Sequence, residues 1–303
     1  MINNTHNTSS HSSNRSTQSL LPPTNDYVFA RLFGSNSHRR VLVCLLNAIL
    51  NGKPHVKDVT LDPTEYKKTT ADGKSIRLDI RATTDNGTVV NVEIQCVNTG
   101  DIHSRSLYYQ SLILREYTIK QGQSYKDIPN IITIWIMNEP VTERKGCMHE
   151  IVPMYKDNGI DKIEIASEKM RQFIIELTKL ENTPKSFYND MFSIWMMFIQ
   201  NPESIPEEFL KIEEVKEALE ELTYLSQDKE TRAEYNARHK ELCDQFSSNT
   251  VSYEKGVGEG EKKKAFEIVR KMLAKDFGIE DIIECSGLTK EEILKLQKEN
   301  VSG

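Results

Sequence analysis

The chain contains two adjacent runs of alternating apolar and polar residues, SIRLDIRATT at positions 75–84 and TVVNVEIQCV at positions 88–97. Successive side chains of a β-strand point to opposite faces, so this alternation predicts two strands. The predicted faces of the first strand are Ile76, Leu78 and Ile80 on one side and Arg77, Asp79 and Arg81 on the other. In the second strand, Asn91, Glu93 and Gln95 share the polar face.

The connection between the runs contains Asp85-Asn86-Gly87, a sequence typical of hairpins. A three-residue loop pairs Thr84 with Thr88 and, counting back, places Asp79 opposite Glu93, with Cβ atoms about 4.5–5.5 Å apart. A two-residue Asn-Gly loop shifts the register by one and puts the two carboxylates on opposite faces. Their pairing therefore requires an odd loop or a bulge.

Two ionised carboxylates at that separation repel each other, and a proton, an Arg or a metal ion usually relieves the repulsion. Mg²⁺ takes oxygen ligands and typically uses one or two carboxylates together with a substrate phosphate. Asp79, Glu93 and the backbone carbonyl of Ile94 suit Mg²⁺ or Mn²⁺ as a cofactor. The alternative is a solvated sheet face on which charges simply alternate with core residues.

Three further polar residues on these strands are candidates for contacts with a phosphate. The amide of Gln95 takes up no proton near neutral pH, so it is predicted to orient a water or to bond a phosphate oxygen. Arg77 and Arg81 flank Asp79 on its predicted face and are candidates for binding the phosphate backbone.

The rest of the chain predicts an α/β domain followed by helices. Residues 1–19 are polar and predict a disordered tail, residues 20–180 a mixed sheet flanked by helices, and residues 181–250 a helical region. The apolar run IITIWIM at positions 131–137 predicts a central strand covered on both faces. Residues 168–180 are interpreted as a helix. Residues 251–303 predict a hinge at YEKGVGEG and a small helical tail.

Composition places the protein in the cytoplasm. Of the 303 residues, 38% are hydrophobic. The sequence contains no apolar run long enough to span a membrane. Five dispersed cysteines favour a reducing compartment over a disulfide framework. The net charge of −6 counts against a protein that coats nucleic acid, yet it is compatible with a nuclease that has a local basic face.

Five motifs follow one another along the first half of the chain. They are DYVFARLFG at 26–34, RLDI at 77–80, VEIQ at 92–95, Arg105 with YYQ at 108–110, and NIITI at 130–134. Their order resembles that of the PD-(D/E)XK nuclease family transposases, also called the recombination-promoting nuclease/putative transposase family. The resemblance runs from about Leu20 to Ile165, and the C-terminal stretch also resembles the usual tail of that family.

The resemblance implies a restriction-endonuclease-like core and Mg²⁺-dependent cleavage of DNA, linked to recombination, mobile elements or defence. Asp79 takes the position of the motif Asp and Glu93 that of the motif Glu. Gln95 stands where many nucleases of the superfamily have Lys. Asp26 corresponds to the accessory acid of the first motif, and its alternative role is a helix N-cap beside Asn25.

Other features leave alternatives open. Arg105 and Tyr109 share one face of the helix predicted after the second strand. They are interpreted either as residues that support the site or as residues that pack the helix on the sheet. The C-terminal helices predict a homodimer contact or tail packing, with DNA reading as the alternative. The protein as a whole is interpreted as a DNA endonuclease. The rivals are a degenerate relative that binds DNA without cutting it and a helical assembly protein.

Overall fold

The structure is a computed structural model that describes residues 19–66, 76–117, 119, 121–122, 124–156, 164–184 and 189–301, the last four by their backbone alone. Residues 1–18 of the predicted tail lie outside the described residues. So do residues 67–68, 75, 162–163 and 185–188 at the ends of predicted elements. The chain divides into two compact units, Met1–Tyr235 and Asn236–Gly303.

The first unit contains every strand of the described chain. The strands are β1 (Val59–Leu61), β2 (Glu65–Tyr66), β3 (Ile76–Arg77), β4 (Ile80–Thr84), β5 (Val89–Gln95), β6 (Ile131–Met137), β7 (Met148–Ile151), β8 (Met154–Tyr155), β9 (Glu164–Ile165) and β10 (Met170–Glu176). Six of them form one sheet in the order β1-β4-β5-β6-β10-β7. The central strands β5, β6 and β10 are parallel, and the outer strands pair antiparallel with their neighbours.

Eight α-helices accompany these strands in the described residues. They are α1 (Asp26–Phe33), α2 (Arg39–Leu50), α3 (Ile102–Arg115), α4 (Asp190–Gln200), α5 (Glu213–Gln227), α6 (Lys229–Leu273), α7 (Ile279–Ser286) and α8 (Lys290–Val301). Short 3-10 helices occur at Asn36–His38, Tyr125–Asp127, Leu177–Lys179, Pro202–Ser204 and Glu207–Lys211.

The sheet separates two apolar cores. Along β6, Ile132, Ile134 and Ile136 face a large core built with α1, α2, α4 and α5. Ile131 and Trp135 face the other way, into a smaller core beneath α3. Every residue of β6 is buried, which confirms the prediction of a central strand covered on both faces. The predicted fold class, a mixed sheet flanked by helices and followed by a helical C-terminal region, is confirmed.

The hairpin has the register that brings the two carboxylates together. Thr83 pairs with Val89 and Ile80 with Val92, while the N–H of Thr84 donates to the carbonyl of Thr88 at 2.9 Å. The loop thus has three residues and closes at Gly87, which has a positive φ. This left-handed conformation favours glycine. The register predicted from an odd loop is confirmed.

One predicted helix is a strand. Most of residues 168–180 form β10 (Met170–Glu176), which lies between β6 and β7 in the sheet and is followed by the short 3-10 helix Leu177–Lys179. The first compact unit extends beyond the domain boundary predicted at residue 180. Helices α4 and α5 pack in the same core as the sheet, and the first unit continues to Tyr235.

The predicted hinge at residues 253–260 is also wrong. Helix α6 passes through this segment without a break and ends at Leu273. In the second unit, Val269 of α6 packs with Ile282 of α7 and Ile293 of α8 in a small core. Helix α8 begins with a capping box, in which the Thr289 N–H donates to Glu292 Oε2 at 2.9 Å. Nowhere in the described chain is a helix long and apolar enough to cross a membrane.

Candidate active site

The strand that carries Asp79 is interrupted at that residue. Pairing with β5 ends at Ile80, and the N–H of Leu78 donates to the carbonyl of Thr64 at 3.0 Å instead of to β5. Leu78 therefore packs in the core beneath α3, whereas Ile80 packs in the large core on the opposite face. The prediction of one continuous strand with Ile76, Leu78 and Ile80 on a single face is wrong.

Beyond the break, the Asp79 side chain takes the place of a strand partner. Its Oδ2 accepts the N–H of Ile94 at 2.8 Å, and its own N–H donates to Glu93 Oε1 at 3.3 Å. In a strand, the N–H and C=O of one residue point to the same neighbour, so the Ile94 carbonyl also points towards the interruption. Asp79 and Glu93 are thus adjacent, and the Ile94 carbonyl is directed to the same place.

Glu93 carries a carboxylate that the fold makes costly to ionise. The residue is only 2% exposed. Burial raises the pKa of Glu93 well above its usual range, and the nearby negative charge of Asp79 raises it further. A cation at this position would relieve both effects.

Gln95 is held by Arg105, the candidate residue on α3. Arg105 Nη1 donates to Gln95 Oε1 at 3.2 Å. A guanidinium has no acceptor, so the amide oxygen of Gln95 must face Arg105 and its NH₂ group points elsewhere. Gln95 therefore presents donors on its other side, as a Lys ammonium does at the same motif position.

Arg105 is itself fixed by two aromatic side chains. Its Nη2 donates to the Tyr109 hydroxyl at 3.3 Å. Its guanidinium carbon lies 5.1 Å from the centre of the Trp135 ring, within the range of a cation–π contact. Tyr109 is buried against Trp135, whereas Tyr108 is 53% exposed. The structure thus combines both alternatives for Arg105 and Tyr109, contact with a site residue and packing of the helix on the sheet.

Asp26 lies in the first turn of α1, near the end of β5. The N-cap is its neighbour Asn25, whose side chain accepts the N–H groups of Tyr27 and Val28. Burial raises the pKa of the Cys96 thiol, and the charge of Asp26 raises it further, followed by those of Glu139 and Asp79. Asp26 therefore contributes negative potential where β5 ends, and Asn25 fills the alternative role of helix cap.

The two arginines that flank Asp79 in sequence have different environments. Arg77 is exposed, as a residue that contacts a phosphate backbone must be. Arg81 is 5% exposed and lies in the core beneath α3, where its guanidinium pairs with Glu116 at 2.6 Å and donates to the Tyr66 hydroxyl at 2.7 Å. The expectation that Arg81 shares an open face with Asp79 does not agree with this burial.

Sequence reasoning missed the residues that hold Arg105 and Arg81 in place. Trp135 was assigned to the core, yet its ring supports Arg105. Tyr66 and Glu116 were not singled out, although they hold Arg81. The signal for Trp135 was available, because alternation along β6 puts it on the same face as Glu93, its neighbour in the parallel pair.

The donor set fits a hard divalent cation. Asp79, Glu93 and the Ile94 carbonyl supply oxygen alone, the ligand type that Mg²⁺ and Mn²⁺ prefer. Among the described residues, no group of three or more His, Cys, Asp or Glu side chains could hold a metal ion. Asp79 and Glu93 would supply two carboxylates, and Mg²⁺ sites of this kind are usually completed by waters and substrate.

A mixed sheet with two adjacent carboxylates at an interrupted hairpin strand defines a restriction-endonuclease-like α/β protein. A protein-family model described as "PD-(D/E)XK nuclease family transposase" matches residues 23–252 of the chain. The chain belongs to that family. No curated protein and no solved structure matches it.

Proposed function

We propose that this protein is a metal-dependent endonuclease that hydrolyses DNA phosphodiester bonds, with Asp79, Glu93 and Gln95 at its active site and Asp26 as an accessory acid. The observation that carries the proposal is the hydrogen bond from the Ile94 N–H to Asp79 Oδ2 at 2.8 Å. It orients one carboxylate beside a second, buried one, on the side of β5 towards which strand geometry also points the Ile94 carbonyl.

Asp79, Glu93 and the Ile94 carbonyl would hold Mg²⁺ or Mn²⁺. When bound, such an ion lowers the pKa of a coordinated water and stabilises charge on a scissile phosphate. Asp79 and Glu93 must both be ionised to bind it. Because burial and the charge of Asp79 raise the pKa of Glu93, a bound cation would favour the ionised form of this carboxylate.

Gln95 and Arg105 would act on the substrate side of the pair. Because Arg105 occupies the amide oxygen of Gln95, the Gln95 NH₂ group can donate to a phosphate oxygen or to the attacking water. Gln95 accepts no proton, so deprotonation of that water must fall to another group. The Arg105 guanidinium also brings positive charge next to the two carboxylates.

Arg77 is the candidate for contact with the DNA backbone on this hairpin, because its side chain is exposed. Backbone contacts of this kind position a duplex and carry no base information. We therefore propose cleavage with little sequence preference. A role in recombination or mobile-element movement follows from the family description alone. A cytoplasmic location is supported by five free cysteines.

Nicking of a supercoiled plasmid tests the proposal. Purified protein is incubated with Mg²⁺, Mn²⁺ or EDTA beside Asp79→Asn and Glu93→Gln, which keep the shapes of the side chains. Glu207→Gln is the matched control, because Glu207 is exposed on a 3-10 helix away from the hairpin.

Metal-dependent nicking by the wild type and by Glu207→Gln, lost in both site variants, is the expected result. Nicking that survives in Asp79→Asn and Glu93→Gln would place the active site elsewhere. DNA binding without nicking by any protein would favour the degenerate relative. Absence of DNA binding as well would favour the assembly protein.

A further inference from the structure

A row of three buried polar side chains crosses the sheet beneath α3. Arg81 of β4 pairs with Asn91 of β5, and Asn91 pairs with Thr133 of β6. Directly paired residues of neighbouring strands point to the same face of a sheet. This face is the one covered by α3, because Thr133 bonds the Ser106 hydroxyl of that helix. Glu93 follows Asn91 by two residues and shares its face, so the polar row lies next to the candidate site.

The middle residue of the polar row, Asn91, has an unpaired amide. The residue is 0% exposed. Neither its Nδ2 nor its Oδ1 has a hydrogen-bond partner among the described residues. Buried polar groups in proteins are nearly always hydrogen-bonded, and an unpaired one is costly. The buried amide of Asn91 therefore points to a partner that it gains when the site is occupied.

Two acceptors flank Asn91 on this face, Thr133 on β6 and Glu93 on β5 itself. The Thr133 hydroxyl is already engaged, since it bonds Ser106 Oγ at 2.9 Å and accepts Gln110 Nε2 at 3.3 Å. Glu93 is near enough to feel the amide. Burial is the largest influence on the pKa of Glu93 and raises it, whereas the side-chain amide of Asn91 lowers it. Glu93 is therefore the acceptor that suits Asn91 Nδ2.

Arg81 sets the direction in which the amide points. Its Nε is a buried donor without a hydrogen-bond partner in the described part of the chain. The nearest carboxylate oxygen paired with it, Asp62 Oδ2, lies 3.9 Å away, beyond hydrogen-bonding distance. A guanidinium offers donors alone, so the group of Asn91 that matches it is the amide oxygen. This orientation leaves the NH₂ group of Asn91 to donate to Glu93.

We propose that Asn91 is a positioning residue of the proposed metal site: its Nδ2 donates to the Glu93 carboxylate when that carboxylate holds the cation, while its Oδ1 accepts Arg81 Nε. Because Glu93 is a ligand only in the proposed metal site, this role of Asn91 rests on the proposed function. A donor that bonds a metal-binding carboxylate fixes the direction of its oxygens and favours its ionised form.

The arrangement matches that of Gln95, two residues beyond Glu93 on β5. There, Arg105 donates to the amide oxygen and leaves the NH₂ group to face elsewhere. Asn91 and Gln95 thus flank Glu93 on one strand face, each beside an arginine. Gln95 would serve the substrate side of the metal, and Asn91 the side covered by α3.

Calorimetric titration of Mn²⁺ into the metal-free full chain, without DNA, tests this role. Asn91→Leu removes the amide and keeps a similar volume. We expect it to weaken Mn²⁺ binding roughly 10- to 100-fold, as loss of the outer partner of a metal ligand commonly does. In EDTA it should melt no lower than the wild type, because an apolar group replaces an unpaired buried amide. A purely structural residue would lower the melting temperature and leave the Mn²⁺ affinity unchanged.

Thr133→Val is the matched control. Thr133 is buried next to Asn91 in the polar row, but its hydroxyl bonds residues of α3. We expect Thr133→Val to lower the melting temperature and to bind Mn²⁺ as the wild type does. Asn91→Leu that binds Mn²⁺ as tightly as the wild type would overturn the proposal, and so would equal weakening of binding in both variants.

Nuclear magnetic resonance of the side-chain amides detects the hydrogen bond itself. The signal of Asn91 is identified by its absence from the spectrum of Asn91→Leu. On saturation with Mg²⁺, one of its two Nδ2 protons should shift downfield, and Glu93→Gln should abolish this shift. An Asn91 signal that does not move in the wild type would overturn the proposal.

These readouts involve no DNA, so they separate the role of Asn91 from nuclease activity. A wild type that binds Mn²⁺ with the help of Asn91 but does not nick DNA would support the role of Asn91 and contradict the nuclease. Metal-dependent nicking together with equal Mn²⁺ affinities of the wild type and Asn91→Leu would do the reverse. A wild type that binds no Mn²⁺ would overturn both.

Discussion

The N–H of Ile94 donates to a side chain, Asp79 Oδ2 at 2.8 Å, at the point where the neighbouring strand has turned away. Because the strand breaks at Leu78, the Ile94 N–H of β5 has no backbone acceptor on that side, and the Asp79 carboxylate accepts it instead. The same hydrogen bond that completes the sheet therefore orients a residue of the candidate site.

Asp79→Asn separates these two roles. The amide oxygen can still accept the Ile94 N–H, so we expect the melting temperature to change little. The negative charge is lost, and a metal contribution of several kcal/mol corresponds to a fall in cleavage rate of roughly 100-fold or more. Steady-state nicking and thermal melting measure the two effects.

Asp79→Ala is the comparison, because it removes the acceptor as well. We expect it to lose the same activity and also to lower the melting temperature, since a buried donor without a partner costs about 1–3 kcal/mol. Equal melting temperatures for both variants would contradict the structural role of the hydrogen bond.

Glu93→Gln is expected to stabilise the protein in EDTA at neutral pH. The pKa of Glu93 is raised in the fold, so the wild type loses stability as the pH rises through that folded pKa. The amide carries no charge and avoids this loss. A change of about 1–2 kcal/mol shifts the melting temperature by about 2–8 °C in a domain of this size.

The sign of the effect is checked by pH. Below the pKa of Glu in an unfolded chain, about 4.3, both proteins carry a neutral side chain and should melt alike. Added Mg²⁺ should stabilise the wild type more than the variant, because ligands stabilise the state that binds them. A variant that melts below the wild type at neutral pH would contradict the raised pKa.

Gln95→Glu tests the direction in which the amide points. The new carboxylate still accepts the hydrogen bond from Arg105, but it has no donor for a phosphate oxygen or a water. Loss of a donor worth about 1–3 kcal/mol lowers the cleavage rate roughly 5- to 150-fold. Gln95→Lys keeps a donor and should cleave faster than Gln95→Glu; the reverse order would contradict the assignment.

Arg77 and Arg81 form a natural matched pair. Arg77→Ala should weaken DNA binding and reduce its salt dependence without changing the melting temperature, because Arg77 is exposed. Arg81→Ala removes a buried partner of Glu116 and Tyr66. We expect it to destabilise the fold by about 2 kcal/mol, or roughly 4–8 °C.

Fluorescence anisotropy with a labelled duplex and thermal melting distinguish the two arginines. A loss of DNA affinity in a fully folded Arg81→Ala protein would mean that Arg81 reaches the substrate after all. An unchanged affinity of Arg77→Ala for DNA would mean that Arg77 does not contact the DNA backbone.

The pairing of Asp79 with Glu93 was predictable as one of two alternatives. The sequence Asp85-Asn86-Gly87 allows a two-residue or a three-residue loop, each of which sets a different register, and the strand pairing shows the three-residue loop. The break at Leu78 was not predictable from alternation, because it depends on a hydrogen bond to Thr64, which lies earlier in the chain.

The errors further along the chain have a similar cause. In residues 168–180, apolar residues recur at helical as well as strand spacing, and β10 is settled by its long-range pairing with β6. At residues 253–260, the glycines predict a break, yet α6 continues through them. Intrinsic propensity is a weak guide where long-range pairing decides the outcome, as it does for β10. Residues 253–257 are exposed, so packing within the chain does not explain why α6 continues there.

The most direct test of the central claim is single-turnover cleavage of a labelled duplex as a function of Mg²⁺ concentration, with wild type and Asp79→Asn compared after removal of metal by EDTA. We predict that cleavage by the wild type is absent without Mg²⁺ and rises to saturation, and that Asp79→Asn shows at most a small fraction of that rate. Equal cleavage by the two proteins, or cleavage that persists without metal, would contradict the account.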